Sequence, residues 1–500
     1  MVLLSSTILV IGGVGLFIYS VITRFVSWYR LRHIPGPPGV GWSRLWLLRH
    51  LFSGRLCNKL KDVCDEYGPL VRIGPDWVVC SDASEIRRIW GVRSGYYRSP
   101  WYKAIRIDPT RDSILTFCEN KTHHRTRSYL LPGYAAKGIE NQEQVIDEQV
   151  GKLVALIRSR YISTRNALRP WNMGQSMQYL TQDVITAIGF GKAVGYLDAD
   201  TDIFGFFKTF RSAILPFHCL ALLPTVVDIL QIFIMKPFVP KATDKRGAGW
   251  LMGIVKTHVD KRYGPEKVRN NDVLQSFVDS GLSQSEVEVE ALVQLLSGTD
   301  TTATALRNII FYIATHPRAY RLLQEEIDAA AQAVTRPVIA DQEAKQLPYL
   351  QACIKETLRL WPPIMGMMGK ISDEDDIICG IRVPAKTQVA WAPLALMKDR
   401  VVFGEDARTF EPQRWIDADP EQLKRMEATH GLVFAVGTRW ECLGKRLAYM
   451  EMEKTIFELF RRFDFVMLDP VEPFKWKNYG LTIQHDMNVK ITSRGIACNE

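Results

Sequence analysis

The sequence predicts one large, mainly α-helical domain with small β-sheets. Its longest helical pattern runs from Ser283 to Thr315 and is apolar on more than one face, which indicates a helix through the interior. Strand patterns are shorter and fall at residues 67–81, 377–389 and 481–492. The 500 residues contain no Gly/Ser linker, low-complexity tract or fixed-period repeat, so we expect a single domain.

The composition limits the possible functions. A hydrophobic content of 47% suffices for a deep core, and the formal net charge of +9 is spread along the chain. Because the basic residues show no interleaved aromatic motif, we expect no nucleic-acid binding and favour a basic surface for an acidic partner or anionic lipid. The nine cysteines show no CxxC or zinc spacing, which is typical of reduced thiols in a cytosolic compartment.

Residues 1–23 are predicted to form a transmembrane anchor. They carry no charged side chain, and Leu3–Ile22 is about long enough to cross a bilayer core of ~30 Å. A basic flank follows at once (Arg24, Arg30, Arg32 and His33). By the positive-inside rule, this flank and the body behind it face the cytosol. A cleaved signal peptide is the alternative, although a basic n-region and an evident cleavage site are absent from this sequence.

The segment 24–39 is predicted to be a basic flank and proline-rich hinge, which leaves residues 40–500 as the body. Prolines fix φ and lack an N–H donor, so the run from Ile34 to Gly39 cannot extend the preceding helix. The first strand pattern follows at 67–75, with a hairpin partner at 76–81.

The predicted interior helix is polar in its middle. A capping box at Ser283–Glu286 starts it, and His316–Pro317 stops it. Residues 297–302 supply a glycine and five polar side chains where a core helix normally carries Leu and Ala. Glycine there costs ~1 kcal/mol relative to alanine, and a buried aspartate is costly without a partner. These costs favour a functional site. The alternatives are an interfacial polar patch and a helix end that only resembles a helix interior.

Cys442 is the strongest candidate for chemistry. It directly precedes an amphipathic helical pattern and has Arg439, Lys445 and Arg446 nearby, which are conditions that favour a thiolate. A thiolate in this position is a suitable axial ligand for haem iron, and its electron donation favours O–O cleavage. A buried, unreactive cysteine is the alternative.

The run around Cys442 resembles the haem-binding loop of the cytochrome P450 family, F-x-x-G-x-R-x-C-x-G. The matching residues occur in order (Phe434, Gly437, Arg439, Cys442 and Gly444). The resemblance implies haem b held by the thiolate, with Arg439 on a propionate, Gly437 in a tight turn and Gly444 close to the porphyrin. One extra residue separates Arg439 from Cys442, and Ala435 replaces a frequent glycine.

The polar run of the interior helix is similar to the central-helix motif of the same family. The resemblance implies that Gly298 leaves room for dioxygen and that Asp300 and Thr301 form an acid–alcohol relay that delivers protons. The Thr301 hydroxyl can also bond back to a carbonyl one turn earlier. Ser297 stands where alanine or glycine is commoner.

Two further patterns carry the resemblance. Glu356-Thr-Leu-Arg359 and the later Arg414 resemble a Glu–Arg–Arg cluster that clamps the cysteine loop, although Trp415 replaces a phenylalanine. His123 and Arg127, four residues apart, match a pair that reaches a haem propionate in the family. A solvated helix face is the alternative for that pair, and His124 and Arg125 are alternative members.

As a whole, the chain resembles microsomal cytochrome P450 monooxygenases of fungi, many of which act in secondary metabolism. The resemblance implies electrons from an NADPH-cytochrome P450 reductase, dioxygen and a hydrophobic substrate such as a terpenoid, polyketide or alkaloid. It also implies a single-pass anchor in the endoplasmic reticulum membrane. Lys445 and Arg446 are candidates for reductase docking, with a solvated helix face as the alternative.

The expected substrate pocket is apolar. By family likeness it is lined by residues 99–107, 294–302 and 364–369 and by the surroundings of Leu481. Two rival functions remain: a reductase-independent haem-thiolate isomerase or dehydratase, and a non-catalytic membrane-tethered protein that binds haem or lipid. The predicted relay argues against the first rival, and Cys442 argues against the second.

Overall fold

The computed structural model describes residues 14–15, 18–19, 21–108, 111–135, 139, 141–223, 240–245, 247–265 and 267–495. Most of the predicted anchor, namely residues 1–13, 16–17 and 20, lies outside this part of the chain. Within the described ranges, the structure contains no helix with both the length and the apolar content needed to cross a membrane. The anchor therefore stays a prediction.

Helices dominate the described chain, which confirms the predicted fold class. Residues 21–30 are helical, and the later helices have these bounds: Leu45–Phe52, Leu56–Tyr67, Ala83–Trp90, Asn120–Tyr134, Gln142–Leu156, Met173–Phe190, Tyr196–Ala199, Phe206–Ala221, Gly247–Tyr263, Val273–Asp279, Gln284–Thr315, Pro317–Ala331, Asp341–Ala344, Pro348–Leu360, Pro393–Leu396, Arg400–Phe403, Arg414–Asp417, Pro420–His430 and Lys445–Arg462.

The central helix, Gln284–Thr315, organises the core. The predicted capping box starts it: the Glu286 backbone N–H donates to the Ser283 hydroxyl, and the Ser283 N–H donates to the Glu286 carboxylate at 2.8 Å. The helix ends before His316, where the backbone becomes extended. It packs along Met173–Phe190, a helix whose residues are almost all buried. Both helices share one hydrophobic cluster with Lys445–Arg462, so the helix after Cys442 is anchored in the same core.

The strands are short and form small sheets. Their bounds are β1 Leu70–Arg72, β2 Trp77–Cys80, β3 Tyr97–Arg98, β4 Trp171–Asn172, β5 Lys370–Ile371, β6 Asp376–Ile378, β7 Ile381–Val383, β8 Gln388–Trp391, β9 Phe463–Met467, β10 Lys475–Asn478, β11 Thr482–His485 and β12 Asn488–Ser493. In the described chain the largest sheet has the order β1-β2-β8-β5-β3. β1 and β2 form the predicted hairpin, with Val71 opposite Val79.

The segment predicted to be a hinge is bonded to this sheet. The Arg72 backbone N–H donates to the Pro35 carbonyl at 2.7 Å. The Arg72 guanidinium donates to the carbonyls of Ser27 and Trp28 at 3.1 and 3.0 Å. Because Arg72 is itself buried in β1, these hydrogen bonds fix residues 27–35 to the body of the protein.

Candidate functional site

The loop that carries Cys442 is built on two left-handed residues. A 3₁₀ turn, Gly431–Phe434, ends at Ala435 with a φ of +52°, and Gly437 has a φ of +73°. The chain then returns, and the Cys442 N–H donates to the Phe434 carbonyl at 2.9 Å. This hydrogen bond places the cysteine directly before the helix Lys445–Arg462, as the sequence pattern predicts.

Cys442 is solvent-accessible although protein atoms surround it densely. A residue that lines an internal cleft is both accessible to solvent and densely surrounded by protein atoms. Burial raises the pKa of the thiol, while the backbone N–H groups of Gly444 and Lys445 and the charge of Arg127 act against that rise. An adjacent metal cation would complete the stabilisation of a thiolate here. A side chain added at Gly444 would meet no protein atom within 4 Å, which leaves that side of the loop open.

Glu441 accounts for the extra residue in the loop. Its backbone carbonyl accepts a hydrogen bond from Arg127 at 2.5 Å. Its carboxylate accepts from the Gly437 N–H at 3.2 Å and from Lys445 at 2.8 Å. The extra residue therefore adds hydrogen bonds within the loop and a hydrogen bond to the helix Asn120–Tyr134.

His123 lies at the centre of a cluster of cations. Its side chain is buried, and its Nδ1 has no hydrogen-bond partner among the described residues. Burial, followed by the charges of Arg98, Arg127, Arg439 and Lys370, lowers the pKa of His123 to about 2. The imidazole is therefore neutral. Arg127 lies on the same helix, whereas Arg98, Lys370 and Arg439 come from β3, β5 and the cysteine loop.

Two members of this cation cluster, Arg98 and Lys370, were missed by the sequence interpretation. They lie opposite each other in the β3–β5 pair, and both are buried. Lys370 Nζ donates to the Tyr102 hydroxyl at 2.7 Å and lies 4.4 Å from the centre of the Trp440 ring. Within the described ranges neither cation forms a salt bridge with a carboxylate. Like charges that face each other across a strand pair are destabilising, and burial lowers the pKa of both side chains. A bound anion would favour the charged form of each.

In the described part of the chain, two carboxyl groups lie near the cluster, and neither supplies that anion. Glu290 lies beside Arg98, but burial raises its pKa to about 8, so it is mostly protonated at neutral pH. Glu441 lies beside Arg127 and is already paired with Lys445. A haem fits this arrangement, because its two propionates would meet the cations and its iron would meet the Cys442 thiol.

Arg439 occupies a position between the cysteine loop and the sheet. Its guanidinium donates to the carbonyls of Val92 and Ser94, and its backbone N–H donates to the Trp90 carbonyl at 3.2 Å. It also contributes to the positive charge around His123. Its predicted contact with a propionate stays a prediction.

The central helix presents one accessible face in its middle. Ser297 is exposed and Gly298 and Thr301 are half-buried, whereas Thr299, Asp300 and Thr302 are buried. The Thr301 hydroxyl donates to the Ser297 carbonyl at 2.8 Å, which is the predicted back-bond. A Cβ at Gly298 would lie 2.7 Å from Ile185 Cγ1. Close packing of the helices Met173–Phe190 and Gln284–Thr315 is therefore a second reason for a glycine at position 298. The sequence interpretation missed this reason.

Asp300 is held away from that face by polar partners. Its carboxylate pairs with Arg307 at 3.2 Å and accepts a hydrogen bond from the Gln178 side chain at 2.8 Å. No hydrogen bond joins the side chains of Asp300 and Thr301, both of which the structure describes. The acid and the alcohol are therefore neighbours in sequence with separate hydrogen-bond networks.

Glu356, Arg359 and Arg414 form one buried cluster. Arg359 binds both carboxylate oxygens of Glu356 at 2.7 and 2.8 Å, and Arg414 donates to the same carboxylate at 3.0 Å. Trp415 adds an indole N–H at 2.9 Å, a bond that phenylalanine would lack. Arg359 also donates to the Met397 and Ala407 carbonyls, which joins the cluster to the chain before the cysteine loop.

The fold and the site together define a protein of the haem-thiolate class. The sequence model of the cytochrome P450 family matches residues 35–489, and this chain belongs to that family. The thiol at the helix start and the cation cluster that faces His123 are the features that a haem requires of such a protein.

The chain is similar to fungal monooxygenases over nearly its whole length. It is 36% identical to the cytochrome P450 monooxygenase ABA1 of Pyricularia oryzae, with 95% of both chains covered. It is 35% identical to the cytochrome P450 monooxygenase aba1 of Botryotinia fuckeliana, with 92% of both covered. It is 28% identical to gsfF of Penicillium aethiopicum, over 98% of this chain and 100% of the relative. The predicted enzyme class, a cytochrome P450 monooxygenase, is confirmed.

Proposed function

We propose that this enzyme takes electrons from an NADPH-cytochrome P450 reductase and oxidises a hydrophobic small molecule of fungal secondary metabolism. The observation that carries the proposal is the accessible thiol of Cys442 at the start of a helix, beside a cluster of basic side chains that has no matching carboxylate among the described residues. When bound, the haem supplies the iron chemistry that activates dioxygen. The protein's own residues bind and orient the reactants.

Each element of the site has a distinct role in this proposal. Cys442 would hold the iron, and Arg98, His123, Arg127 and Lys370 would hold the propionates. The Thr301 hydroxyl, on the accessible face of the central helix, would hold a proton for delivery. Glu356, Arg359 and Arg414 would keep the cysteine loop in position, since removal of one partner strands a buried charge at ~3–5 kcal/mol.

Electrons would arrive on the side of the cysteine loop. Arg446 is exposed there and donates to Gln142 Oε1 at 3.0 Å. Lys445 is half-buried and paired with Glu441. Arg446 is therefore the better candidate of the two predicted docking residues for contact with an acidic reductase surface.

The substrate pocket would be formed by the apolar segments predicted from the sequence. Ile364 and Leu481 pair through an isolated bridge, and the Met365 N–H donates to the Gly480 carbonyl at 2.8 Å. Trp101 and Met367 line a cavity together with this pair of segments. Methionine and tryptophan supply an apolar surface that adapts to a bulky hydrophobic substrate.

The membrane assignment belongs to the same proposal. The uncharged residues 1–23 and the basic flank that follows support an anchor in the endoplasmic reticulum membrane, with the body in the cytosol. Expression of the chain with and without residues 1–23, followed by membrane fractionation, tests this part. Recovery of both forms in the soluble fraction would contradict it.

The decisive experiment is reconstitution with and without a reductase. We expect the reduced enzyme to form the carbonyl band typical of thiolate ligation and to consume NADPH and dioxygen only when the reductase is present. Mass spectrometry of host metabolites after incubation then identifies the product. Turnover without NADPH would favour the isomerase or dehydratase, and ligand binding without oxygen consumption would favour the non-catalytic alternative.

A further inference from the structure

We infer that Cys80 and Cys379 form a modification site at which hydrogen peroxide closes a reversible disulfide bond. Neither cysteine belongs to the candidate haem site, and neither was assigned a role from the sequence. The two residues are 299 positions apart in the chain, yet the fold brings their sulfur atoms to 4.0 Å. Among the eight cysteines that the structure describes, no other pair of thiols is joined by a hydrogen bond.

The two thiols have different surroundings. Cys80 is the last residue of β2, where it is buried and pairs with Leu70 of β1 and Trp391 of β8. Cys379 is half-buried and lies in the turn between β6 and β7. The sheet therefore fixes Cys80, while solvent and a small oxidant reach Cys379.

The turn itself does not account for a cysteine at position 379. Ile378 pairs with Ile381, so Cys379 and Gly380 are the two turn residues, and their φ angles are +50° and +77°. Two-residue hairpin turns with left-handed φ favour Asn-Gly and Asp-Gly, because a Cβ in this conformation is strained. The position of the sulfur beside Cys80 supplies another reason for this residue.

Electrostatics divide the roles between the two thiols. The hydrogen bond from Cys80 lowers the pKa of Cys379, against the opposing effects of burial and of the carboxylates of Asp82 and Glu85. Arg88 acts in the same direction as the hydrogen bond. The same hydrogen bond, together with burial, raises the pKa of Cys80. Cys379 therefore has the larger thiolate fraction and is the attacking sulfur, and Cys80 is the resolving thiol.

The reaction balances with peroxide as the only oxidant. The Cys379 thiolate attacks one peroxide oxygen, the O–O bond breaks, and hydroxide leaves as the sulfenic acid forms. The Cys80 sulfur then attacks the Cys379 sulfur, and the sulfenic oxygen leaves as water with the Cys80 proton. The two thiols lose two electrons in total, and hydrogen peroxide is reduced to two water molecules.

The disulfide requires a small movement of the turn. An S–S bond is about 2 Å long, so the sulfur atoms have to approach by about 2 Å. The hairpin β6–β7 is already held to the helix Ala83–Trp90, because Asp376 pairs with Arg88 at 2.9 Å and the Cys379 N–H donates to Glu85 at 3.1 Å. The new bond would add a covalent link to β2. Because it closes a long loop of chain, the oxidised protein should melt at a higher temperature than the reduced one.

The test uses the haem-loaded full chain and two oxidants. One sample is treated with hydrogen peroxide and another with diamide, which takes two electrons and two protons from a thiol pair and transfers no oxygen. Because haem also reacts with peroxide, the diamide sample separates thiol chemistry from haem chemistry. Free thiols are then alkylated, and mass spectrometry of a digest without reductant identifies linked peptides.

Three variants accompany the wild type. Cys80→Ser and Cys379→Ser each remove one partner, and Cys219→Ser is the control, since Cys219 is half-buried on another helix. We expect the wild type and Cys219→Ser to give the peptide that joins residues 80 and 379 with both oxidants, and dithiothreitol to restore both thiols. Loss of the linked peptide is expected in the other two variants.

Dimedone, which captures sulfenic acids, tests the order of the steps. After peroxide treatment of Cys80→Ser, we expect the adduct on Cys379, because the resolving thiol is gone. After the same treatment of Cys379→Ser, we expect no adduct on Cys80.

Absence of the linked peptide from the wild type with either oxidant would overturn the inference. A disulfide between Cys64 and Cys379 would also overturn it, since Cys64 lies close enough for a charge on Cys379 to raise its pKa. Capture of Cys80 by dimedone in Cys379→Ser would contradict the assignment of Cys379 as the attacking sulfur.

Discussion

Asp300 pairs with Arg307, seven residues further along the same helix, at 3.2 Å. Both side chains are almost fully buried, and Gln178 from the neighbouring helix donates to the same carboxylate. Before Asp300 can pass a proton to Thr301, this ion pair has to open. Asp300 therefore has a structural role in this ion pair, whereas the catalytic role is proposed for Thr301.

Replacement of Thr301 tests its proposed catalytic role in proton delivery. We expect Thr301→Ala to divert reducing equivalents from product to hydrogen peroxide, because the hydroxyl that holds the proton is lost. The measurement is peroxide formed per NADPH consumed. Thr315→Ala is the matched control, since Thr315 makes the same back-bond, to the Phe311 carbonyl at 2.8 Å, at the end of the same helix. Unchanged coupling in Thr301→Ala would refute the relay.

Replacement of Asp300 tests its structural role in the buried ion pair with Arg307. Asp300→Asn keeps the size of the side chain but leaves the buried Arg307 guanidinium without its counter-charge. We expect the free energy of unfolding to fall by about 3–5 kcal/mol, as measured by urea denaturation. Exposed pairs are worth far less, so Glu325→Gln, which breaks the exposed pair with Arg321, should change stability by under about 1 kcal/mol. Equal losses of stability in Asp300→Asn and Glu325→Gln would contradict the stabilising role of the buried pair between Asp300 and Arg307.

Replacement of Cys442 tests the iron ligand. We expect Cys442→Ser to abolish the carbonyl band typical of thiolate ligation, because a serine hydroxyl does not replace the sulfur donor. Cys219→Ser is the control, since Cys219 is half-buried on a different helix. Survival of the band in Cys442→Ser would assign the iron to another residue.

Ala435 adopts a backbone conformation that favours glycine. Its φ of +52° places Cβ near the following carbonyl, which costs an L-residue about 1–2 kcal/mol. We expect Ala435→Gly to raise the free energy of unfolding by about 0.5–1 kcal/mol, since the greater freedom of glycine in the unfolded chain offsets part of the gain. Ala329→Gly, on the exposed face of a helix, should instead lower stability by about 1 kcal/mol. A loss of stability in both variants would disprove strain at residue 435.

Glu451 gives the protein a pH-dependent stability. Burial raises its pKa from 4.5 to about 8, so the folded state binds the proton more tightly than the unfolded state. This contribution is complete below pH 4.5 and is lost as the pH rises through about 8. We expect Glu451→Gln, which stays neutral, to melt at a temperature that depends less on pH across this window. Parallel pH profiles for both proteins would exclude this role.

Local features of the sequence were sufficient to predict the elements around the site. The capping box of Ser283 and Glu286 and the stop at His316 are defined by adjacent residues, so the bounds of the central helix followed from the pattern. The same holds for the hairpin of β1 and β2. Contacts between distant segments did not follow, because they depend on tertiary packing.

The β3–β5 pair shows this limit most clearly. Arg98 and Lys370 are far apart in the sequence, and only the strand register makes them neighbours. Each looked like an ordinary basic residue in a short segment. A signal was present for Lys370, which directly follows the largely apolar run 361–369. Likewise, no sequence pattern specified Ile185 as the neighbour of Gly298, or Arg307 as the partner of Asp300.

The separation of the cation cluster along the chain has a consequence for biosynthesis. Its members extend from Arg98 to Arg439, and the thiol lies three residues beyond the latter. A growing polypeptide therefore cannot assemble the porphyrin site until the ribosome has translated nearly all of it. Cofactor insertion must follow synthesis instead of accompanying it, and truncated products should accumulate without haem.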